Sequence, residues 1–310
     1  MRRSLDPELR LPQFASNLAL EWAGEYIIEK NADIMAAVDE FWASKVSEHG
    51  EDYVCGPDDI VEAFQLILDL RDPLHTSGVS IKNAEGKTVL SWETSEMAVH
   101  VGSKRAPIGS AKVLFNKIMH EFGVHGQRAI NGLKHNIPVM GLGVFTDTGR
   151  PDYLTFEEGL ATTIEEMSGD DTPAWDAAKL GHYINIAEVV AGEDFRGVFE
   201  KSWRYKLLAK IRDNEEVTDE MIKKEKSAAY TSCVRIFRGQ PNNIADLYPG
   251  IKPLSFNKDL AYLNGRVLAM RYLETIHQTM DKEALDLLFD GKFDPTIPEQ
   301  LAIAVYSRAT

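Results

Sequence analysis

The sequence predicts a mainly helical α+β protein. Apolar residues recur at helical spacing in the first 70 residues and again after residue 110, whereas short apolar runs between Gly78 and Pro107 are separated by turn-forming residues. The 310 residues are 44% hydrophobic, which is enough to bury one large core or two smaller ones. We predict a helical N-terminal region over residues 1–76, packed on a second domain that spans residues 77–310.

Three helices are predicted in the N-terminal region. Apolar side chains from Asn17 to Ser47 follow helical spacing with a break near Asn31, which indicates two helices. Residues 58–70 form a third helix, because Pro57 suits a helix start and the apolar residues share one face. The turn-forming residues from Asp72 to Gly78 then mark a loop in which the domain boundary can fall.

Strands and further helices are predicted after this loop. The glycine-rich run at residues 139–145 is predicted to be a loop or strand without nucleotide function, since no phosphate-loop lysine follows it. The predicted strands are residues 79–82, 88–92 and 97–101. The predicted later helices are residues 175–213, 218–237, 259–280 and 282–289.

The segment Lys-Ile-Met-His-Glu-Phe-Gly-Val-His at residues 117–125 carries two imidazoles beside one carboxylate. Zinc binds neutral imidazole nitrogen and carboxylate oxygen readily, and a catalytic zinc needs three protein ligands and an open position for water. His120 and His125 are therefore candidate zinc ligands, and Glu121 is a candidate general base.

The two histidines are one residue further apart than in the H-E-x-x-H signature of metalloproteases. In a regular α-helix five residues turn about 500°, so His125 would lie roughly 140° from His120. Two arrangements would bring the rings together: a π-type bulge with i→i+5 hydrogen bonds, or a helix loosened near Gly123. Gly123 and Gly126 would ease either arrangement. The alternative is a core histidine and a surface histidine beside an unrelated glutamate.

A third ligand is expected on a helix predicted after Pro151. In many zinc peptidases this ligand is a glutamate on the next helix, and Glu158 fits that place. Glu157 competes with it, but neighbouring helical positions point about 100° apart, so only one of the two should face the ion. The alternative is a solvated charge at a helix N-terminus.

Four short motifs occur in a recognisable order along the second predicted domain. They are His120–Arg128, Glu157–Ala161, Arg235–Gly239 and Phe256–Gly265. In this order they resemble the tyrosine/phenylalanine carboxypeptidase-like zinc metallopeptidases, a family that includes the microtubule-associated tyrosine carboxypeptidases of animals and many bacterial proteins. The resemblance covers roughly residues 92–265. The chain departs from the family at Val124, where threonine is common, and over residues 126–150.

The resemblance implies a zincin-like metallopeptidase core, which makes residues 77–310 the catalytic domain. It implies one zinc ion per chain, held by His120, His125 and Glu158. It also implies a zinc-dependent carboxypeptidase that releases an aromatic C-terminal residue, tyrosine or phenylalanine. Glu121 would take the proton of the attacking water and pass it to the leaving amine.

Substrate contacts are predicted for five further residues. A planar guanidinium binds a terminal carboxylate bidentately, so Arg238, Arg235 and Arg128 are candidates, with Arg238 first because a glycine follows it. Lys258 and Tyr262 share a helix face, and Tyr262 is a candidate catalytic donor to the developing oxyanion. The alternatives are salt bridges for the arginines and a core position for the tyrosine.

An edge strand beside the metal-binding helix often pairs with an extended peptide substrate. The main-chain hydrogen bonds of such a strand hold a peptide without reading its sequence. Residues 97–101 are our candidate for this strand, and His100 could reach the cleft from it. A solvent-facing histidine is the alternative.

Charge and cysteine content argue against several other classes. The formal net charge of −14 opposes nonspecific binding to nucleic acid or to an anionic membrane, so the expected partner is a peptide or protein C-terminus. Neither a membrane span nor a secretory signal is expected, because no sufficiently long apolar run occurs. Cys55 and Cys233 make no disulfide framework. We expect a cytoplasmic protein.

Two other functions fit parts of this pattern. The same zinc site could serve an endopeptidase or an aminopeptidase, which a cleft open at both ends or acidic groups facing the peptide amine would indicate. A noncatalytic interaction protein with a structural metal is the second alternative. Glu121 argues against it, because a structural site does not need a base at that position.

Overall fold

The structure is a computed structural model that describes residues 17–137, 139–143, 153–167, 177–212, 216–239, 250 and 257–309. The described chain is mainly helical and contains one small sheet, which confirms the predicted α+β class. Among these residues, no helix is long and apolar enough to cross a membrane.

Fourteen helical segments and three strands make up the described chain. The helices are α1 (Asn17–Lys30), α2 (Ala32–His49), α3 (Pro57–Arg71), α4 (Ala111–Ile118), a π-helix (Met119–Gly126), α5 (Gln127–Lys134), α6 (Val139–Leu142), α7 (Leu154–Met167), α8 (Ala177–Ala191), α9 (Phe195–Arg212), α10 (Asp219–Ile236), α11 (Asn257–His277), α12 (Lys282–Leu287) and α13 (Pro298–Ala309). The strands are β1 (Ser80–Ala84), β2 (Leu90–Glu93) and β3 (Ala98–Gly102).

Two of the predicted elements differ from the structure. The single helix predicted over residues 175–213 is divided into α8 and α9 within the described residues. The predicted loop or strand at residues 139–145 begins with the short helix α6, and its last two residues lie outside the described residues.

The chain forms two compact units. The first comprises Met1–Thr172 and Asn264–Thr310, and the second comprises Pro173–Leu263. The first unit contains the sheet and the π-helix, whereas the second contains α8, α9 and α10. The domain boundary predicted between residues 76 and 77 falls inside the first unit and remains a prediction.

Asn31 separates α1 from α2, as predicted. Its backbone, at φ −119° and ψ 24°, lies outside the helical region. Its side-chain amide donates to the Ile27 carbonyl at 2.8 Å and accepts from Nη2 of Arg71 at 3.0 Å. Because this side chain takes up a carbonyl at the end of α1, it favours a break over a continuous helix.

The sheet has the strand order β1-β3-β2. Strand β1 pairs with β3 in parallel, and β2 pairs with β3 antiparallel. The prediction that residues 97–101 form an edge strand is therefore wrong, because β3 lies between two partners and both of its edges are used. The edge strand that packs against the π-helix is β2.

One hydrophobic cluster unites the first unit. It contains side chains from the three N-terminal helices, the sheet, α4, the π-helix, α7, α11 and α12. Its buried members include Ile60, Phe64, Val99, Val101, Leu114, Phe122, Leu160 and Leu273. The N-terminal helices therefore pack on the elements that carry the predicted metal ligands.

The second unit has a smaller cluster of its own, built from α8, α9, α10 and the first turns of α11. Cys233 belongs to this cluster, and Cys55 is buried in the first unit. Burial raises the pKa of each thiol to about 11, so neither is a reactive thiolate at neutral pH.

Helices α7 and α11 touch through two glycines. A Cβ on Gly159 would lie 1.8 Å from the carbonyl carbon of Gly265, and a Cβ on Gly265 would lie 1.7 Å from the carbonyl oxygen of Thr155. Neither backbone can move aside locally, because both belong to helices. This contact therefore sets the position of α7 in the first unit.

We expect the substitution Gly159→Ala to lower the free energy of unfolding by about 1–3 kcal/mol or more, because the added methyl group meets backbone atoms. Chemical denaturation would measure the change. Gly109→Ala is the matched control, since a Cβ there meets nothing within 4 Å. Equal stability of the two variants would contradict the close helix contact.

Candidate metal centre

The π-helix contains the whole histidine motif and joins α4 to α5 without interruption. In a π-helix each amide donates a hydrogen bond to the carbonyl five residues earlier. The amide of Gln127, for example, donates to the carbonyl of Phe122. Residues five apart therefore approach one face. The rings of His120 and His125 have centroids 5.3 Å apart. Of the two arrangements predicted for the motif, the i→i+5 arrangement is confirmed.

The glycines of the motif provide space rather than backbone freedom. Gly126 has ordinary helical angles, φ −67° and ψ −50°. A Cβ on Gly126 would lie 3.2 Å from the ring of Trp92, and a Cβ on Gly123 would lie 2.8 Å from the methyl carbon of Met119. The absence of side chains therefore lets β2 and the preceding turn pack closely on the motif.

Two neighbouring glutamates of α7 flank the ring of His125. Oε1 of Glu157 lies 2.8 Å from Nδ1 of His125, and Oε2 of Glu158 lies 3.7 Å from Nε2. All three side chains are buried. The two carboxylates therefore address opposite nitrogens of the ring, so that Glu158 shares the Nε2 side with any bound ion.

His120 also has a carboxylate beside its Nδ1, that of Glu165, which the sequence analysis did not identify. Its Nδ1 lies 2.9 Å from Oε2 of Glu165, although the N–H direction is too far off the oxygen for a hydrogen bond. Lys117 also pairs with Glu165. Burial opposes the charge of Glu165, but His120 and Lys117 outweigh it and lower the pKa to about 2.

A second carboxylate, that of Glu121, lies near the other ring nitrogen of His120. Oε1 of Glu121 lies 3.9 Å from Nε2. Burial by itself lowers the pKa of His120, but the charges of Glu121, Glu165 and Glu158 outweigh it and raise the pKa. The surroundings therefore favour a positive charge at this place, which a proton or a metal ion would supply.

Glu121 is oriented by the edge strand. Its Oε2 accepts a hydrogen bond from the backbone amide of Trp92 at 2.8 Å. The Gly102 amide donates to the Val89 carbonyl, and antiparallel alternation then directs the Trp92 amide away from β3. One carboxylate oxygen of Glu121 is therefore tied to the outer edge of β2.

The donor set fits a zinc ion. Among the described residues, His120, Glu121 and His125 each offer a ligand atom, and these atoms lie within 4.8 Å of one another. Bonds of about 2.0–2.1 Å in a tetrahedral site separate ligand atoms by roughly 3.3 Å. The 3.7 Å between Glu158 and His125 is close to that value. Imidazole nitrogens backed by carboxylates are typical of zinc sites.

A buried ionic network lies behind His125. Besides His125, Glu157 contacts Nζ of Lys292 at 2.6 Å and Nη1 of Arg128 at 2.9 Å. Lys292 and Arg128 are fully buried. Burial by itself raises the pKa of Glu157, but the charges of Lys292 and Arg128 and the hydrogen bond with His125 outweigh it and hold the pKa below its ordinary value. Glu157 is therefore ionised, and its charge can polarise the His125 ring.

Residues 109–302, more than half of the chain, match the family described as microtubule-associated tyrosine carboxypeptidase. The chain belongs to this family. The range that matches the microtubule-associated tyrosine carboxypeptidases begins just before α4, so it contains the π-helix, Glu158 and Lys292. No curated protein sequence matches the chain.

The position of Arg128 bears on its predicted contact with substrate. Its guanidinium is fully buried, donates to Glu157 and to the Phe293 carbonyl, and lies over the Phe293 ring at 5.5 Å. This arrangement favours a role in positioning Glu157 over contact with a substrate carboxylate.

The other predicted substrate residues belong to the second unit. Nε and Nη2 of Arg235 contact Oδ1 of Asp259 at 2.7 and 2.6 Å, while 53% of the Arg235 side chain stays exposed. Arg238 is exposed and Tyr262 is partly buried. The side chain of Lys258 lies outside the described residues. Contacts of these residues with a substrate remain predictions for this family member.

Two residues of the site were missed by the sequence analysis for different reasons. Glu165 follows Glu158 by seven positions on one helix, so shared helical phase was an available signal. Lys292 lies in a segment without helical or strand periodicity, and only the folded chain brings it to Glu157.

We expect Glu157→Gln to weaken zinc binding by about 10- to 100-fold, because a carboxylate behind a ligand imidazole orients the ring and makes it more basic. Competition with a chromogenic chelator would measure the affinity, and circular dichroism would show whether the variant is folded.

Glu96→Gln is the matched control for this measurement, since Glu96 also contacts a lysine and a histidine, Lys82 and His100, but at the exposed surface. Unchanged zinc affinity in a folded Glu157→Gln variant would contradict the positioning role of Glu157.

Proposed function

We propose that this protein is a zinc-dependent carboxypeptidase that hydrolyses the last peptide bond of a peptide or protein and releases an aromatic residue, tyrosine or phenylalanine. The observation that carries the proposal is the π-helix, which brings His120, Glu121 and His125 together in a member of a tyrosine carboxypeptidase family. The proposal includes a zincin-like core and a cytoplasmic location, for which two buried free cysteines are typical.

His120, His125 and Glu158 would hold one zinc ion. When bound, the ion supplies a Lewis acid that polarises the scissile carbonyl and lowers the pKa of water. Nδ1 of each histidine already faces a glutamate, Glu165 or Glu157, which leaves Nε2 of each ring as the proposed ligand atom. The protein therefore sets the ring orientations in advance, which keeps the reorganisation cost of metal binding low.

Glu121 is the proposed general base. The Trp92 amide holds one carboxylate oxygen, and this leaves the other oxygen on the side of His120 Nε2. Glu121 would accept the proton of the attacking water and return it to the amine of the departing residue. Its burial to 8% exposure limits competition from bulk water for that proton.

Strand β2 is the proposed docking edge for the substrate. Its inner side is paired with β3, and its outer side faces the π-helix at the place where Trp92 binds Glu121. An extended peptide that adds to this edge would place its main chain beside the general base. This assignment replaces the role first predicted for residues 97–101.

We expect the zinc-loaded protein to remove one aromatic residue from the end of a peptide, as measured by mass spectrometry. Amidation of the peptide C-terminus should block the reaction. Glu121→Gln should lower the rate by about 10²- to 10⁴-fold, because the proton acceptor is lost while the metal ligands remain.

Glu96→Gln again serves as a surface control and should leave the rate unchanged. Internal cuts in the peptide would favour an endopeptidase. Absence of cleavage by a protein with stoichiometric zinc, across peptides with different last residues and across folded protein substrates, would contradict the proposed function.

A further inference from the structure

Arg105 lies in a turn that directly follows the central strand β3. Its backbone amide donates to the Gly102 carbonyl at 3.0 Å. The amide of Lys104 donates to the Lys87 carbonyl at 2.8 Å, and that of Ser103 donates to the Ala84 carbonyl at 3.1 Å. Consecutive residues of the turn are thus tied to the sheet, so the backbone of Arg105 is held on a rigid element.

Within the residues that the structure describes, one nitrogen of the Arg105 guanidinium has no protein partner. Its Nε is buried and has no hydrogen-bond partner. No ion pair joins Arg105 to a carboxylate within the part of the chain that the structure describes. The side chain as a whole is partly buried. A buried N–H group without a partner is costly, so a bound ligand or water is expected to satisfy it.

Two carboxylates of the candidate metal centre act on the charge of Arg105. Burial lowers the pKa of the guanidinium, while the negative charges of Glu121 and Glu165 act in the opposite direction. Glu121 is the proposed base, and Glu165 lies beside Nδ1 of His120. Arg105 therefore lies within electrostatic reach of the candidate site and belongs to the same compact unit.

The chemistry of the site selects an anion as the missing partner of Arg105. A guanidinium repels metal ions and peptide amines, and its planar pair of N–H groups matches a carboxylate. In the substrate of a carboxypeptidase, the negatively charged group next to the last peptide bond is the terminal carboxylate. The second unit is not needed for this contact, because Arg105 and the metal ligands share the first unit.

We propose that Arg105 binds the terminal carboxylate of the substrate and thereby restricts cleavage to the last peptide bond, an inference that rests on the carboxypeptidase function proposed above. The two carboxylate oxygens accept hydrogen bonds from the guanidinium, and Arg105 is a specificity-determining residue. The scissile carbonyl then lies one residue away, toward Glu121.

A binding experiment tests this role without turnover. The zinc-loaded Glu121→Gln chain is titrated with two fluorescent peptides that end in tyrosine, one with a free carboxylate and one amidated. We expect the free acid to bind about 10- to 100-fold more tightly, the range of a charge-assisted contact. Adding Arg105→Gln should remove that difference, and Arg105→Lys should retain part of it.

Lys104→Gln is the matched control, because Lys104 is the exposed neighbour of Arg105 in the same turn and should keep the full difference. Thermal melting and zinc content show whether each variant is intact. Retention of the acid-over-amide preference by a folded Arg105→Gln variant would overturn the proposal, as would its loss in Arg238→Gln alone.

Kinetics of the active chain separate this role from a role in the transition state. If Arg105 binds the terminal carboxylate, Arg105→Gln should raise KM for the free acid with a smaller change in kcat. A fall of kcat for the free acid at constant KM would instead place Arg105 on the reacting carbonyl and overturn the inference.

The two proposals fail in different ways. Acid-selective binding that depends on Arg105, without hydrolysis by the wild-type chain, would contradict the carboxypeptidase function and leave the assignment of Arg105 in place. Hydrolysis with a carboxylate preference that Arg105→Gln does not change would contradict only the assignment of Arg105.

Discussion

The i→i+5 hydrogen bonding of the π-helix is the constraint on which the candidate site depends. In a regular α-helix His120 and His125 would point roughly 140° apart and could not address one ion. The π-helix, which spans the eight residues Met119–Gly126, brings the two side chains to one face. π-Helices are rare, so the surrounding structure must favour this one. Burial of Phe122, Val124 and most of its neighbours among α7 and the sheet provides that stabilisation.

The carboxylates of the site divide into two layers with different tasks. Glu121 and Glu158 face the Nε2 sides of the imidazoles, where chemistry is proposed to occur. Glu157 and Glu165 face the Nδ1 sides and are themselves paired with cations, the buried Lys292 and Arg128 for Glu157 and the partly exposed Lys117 for Glu165. These contacts exist without a metal ion, so they can orient both imidazoles before an ion binds.

Two of the family motifs meet where α7 packs against α11. The glycine of the Glu-Glu-Gly motif, Gly159, meets Gly265, the last residue of the Phe256–Gly265 motif. This contact sets the position of α7, and α7 carries Glu157, Glu158 and Glu165 to the π-helix. Motifs that are about 100 residues apart therefore act together, because the position of one helix decides where three carboxylates lie.

The sequence by itself determined the elements and the chemistry that reside in local pattern. Apolar periodicity predicted most helices and the three strands. The spacing of His120 and His125 left two arrangements for a shared metal site, an i→i+5 bulge or a loosened helix, and the fold contains the first. The order of the strands, and so the identity of the edge strand, was decided by tertiary packing. Tertiary packing also decided the surroundings of Lys292 and Arg105. The charge of a residue is visible in the sequence, but its neighbours are set by contacts between distant segments.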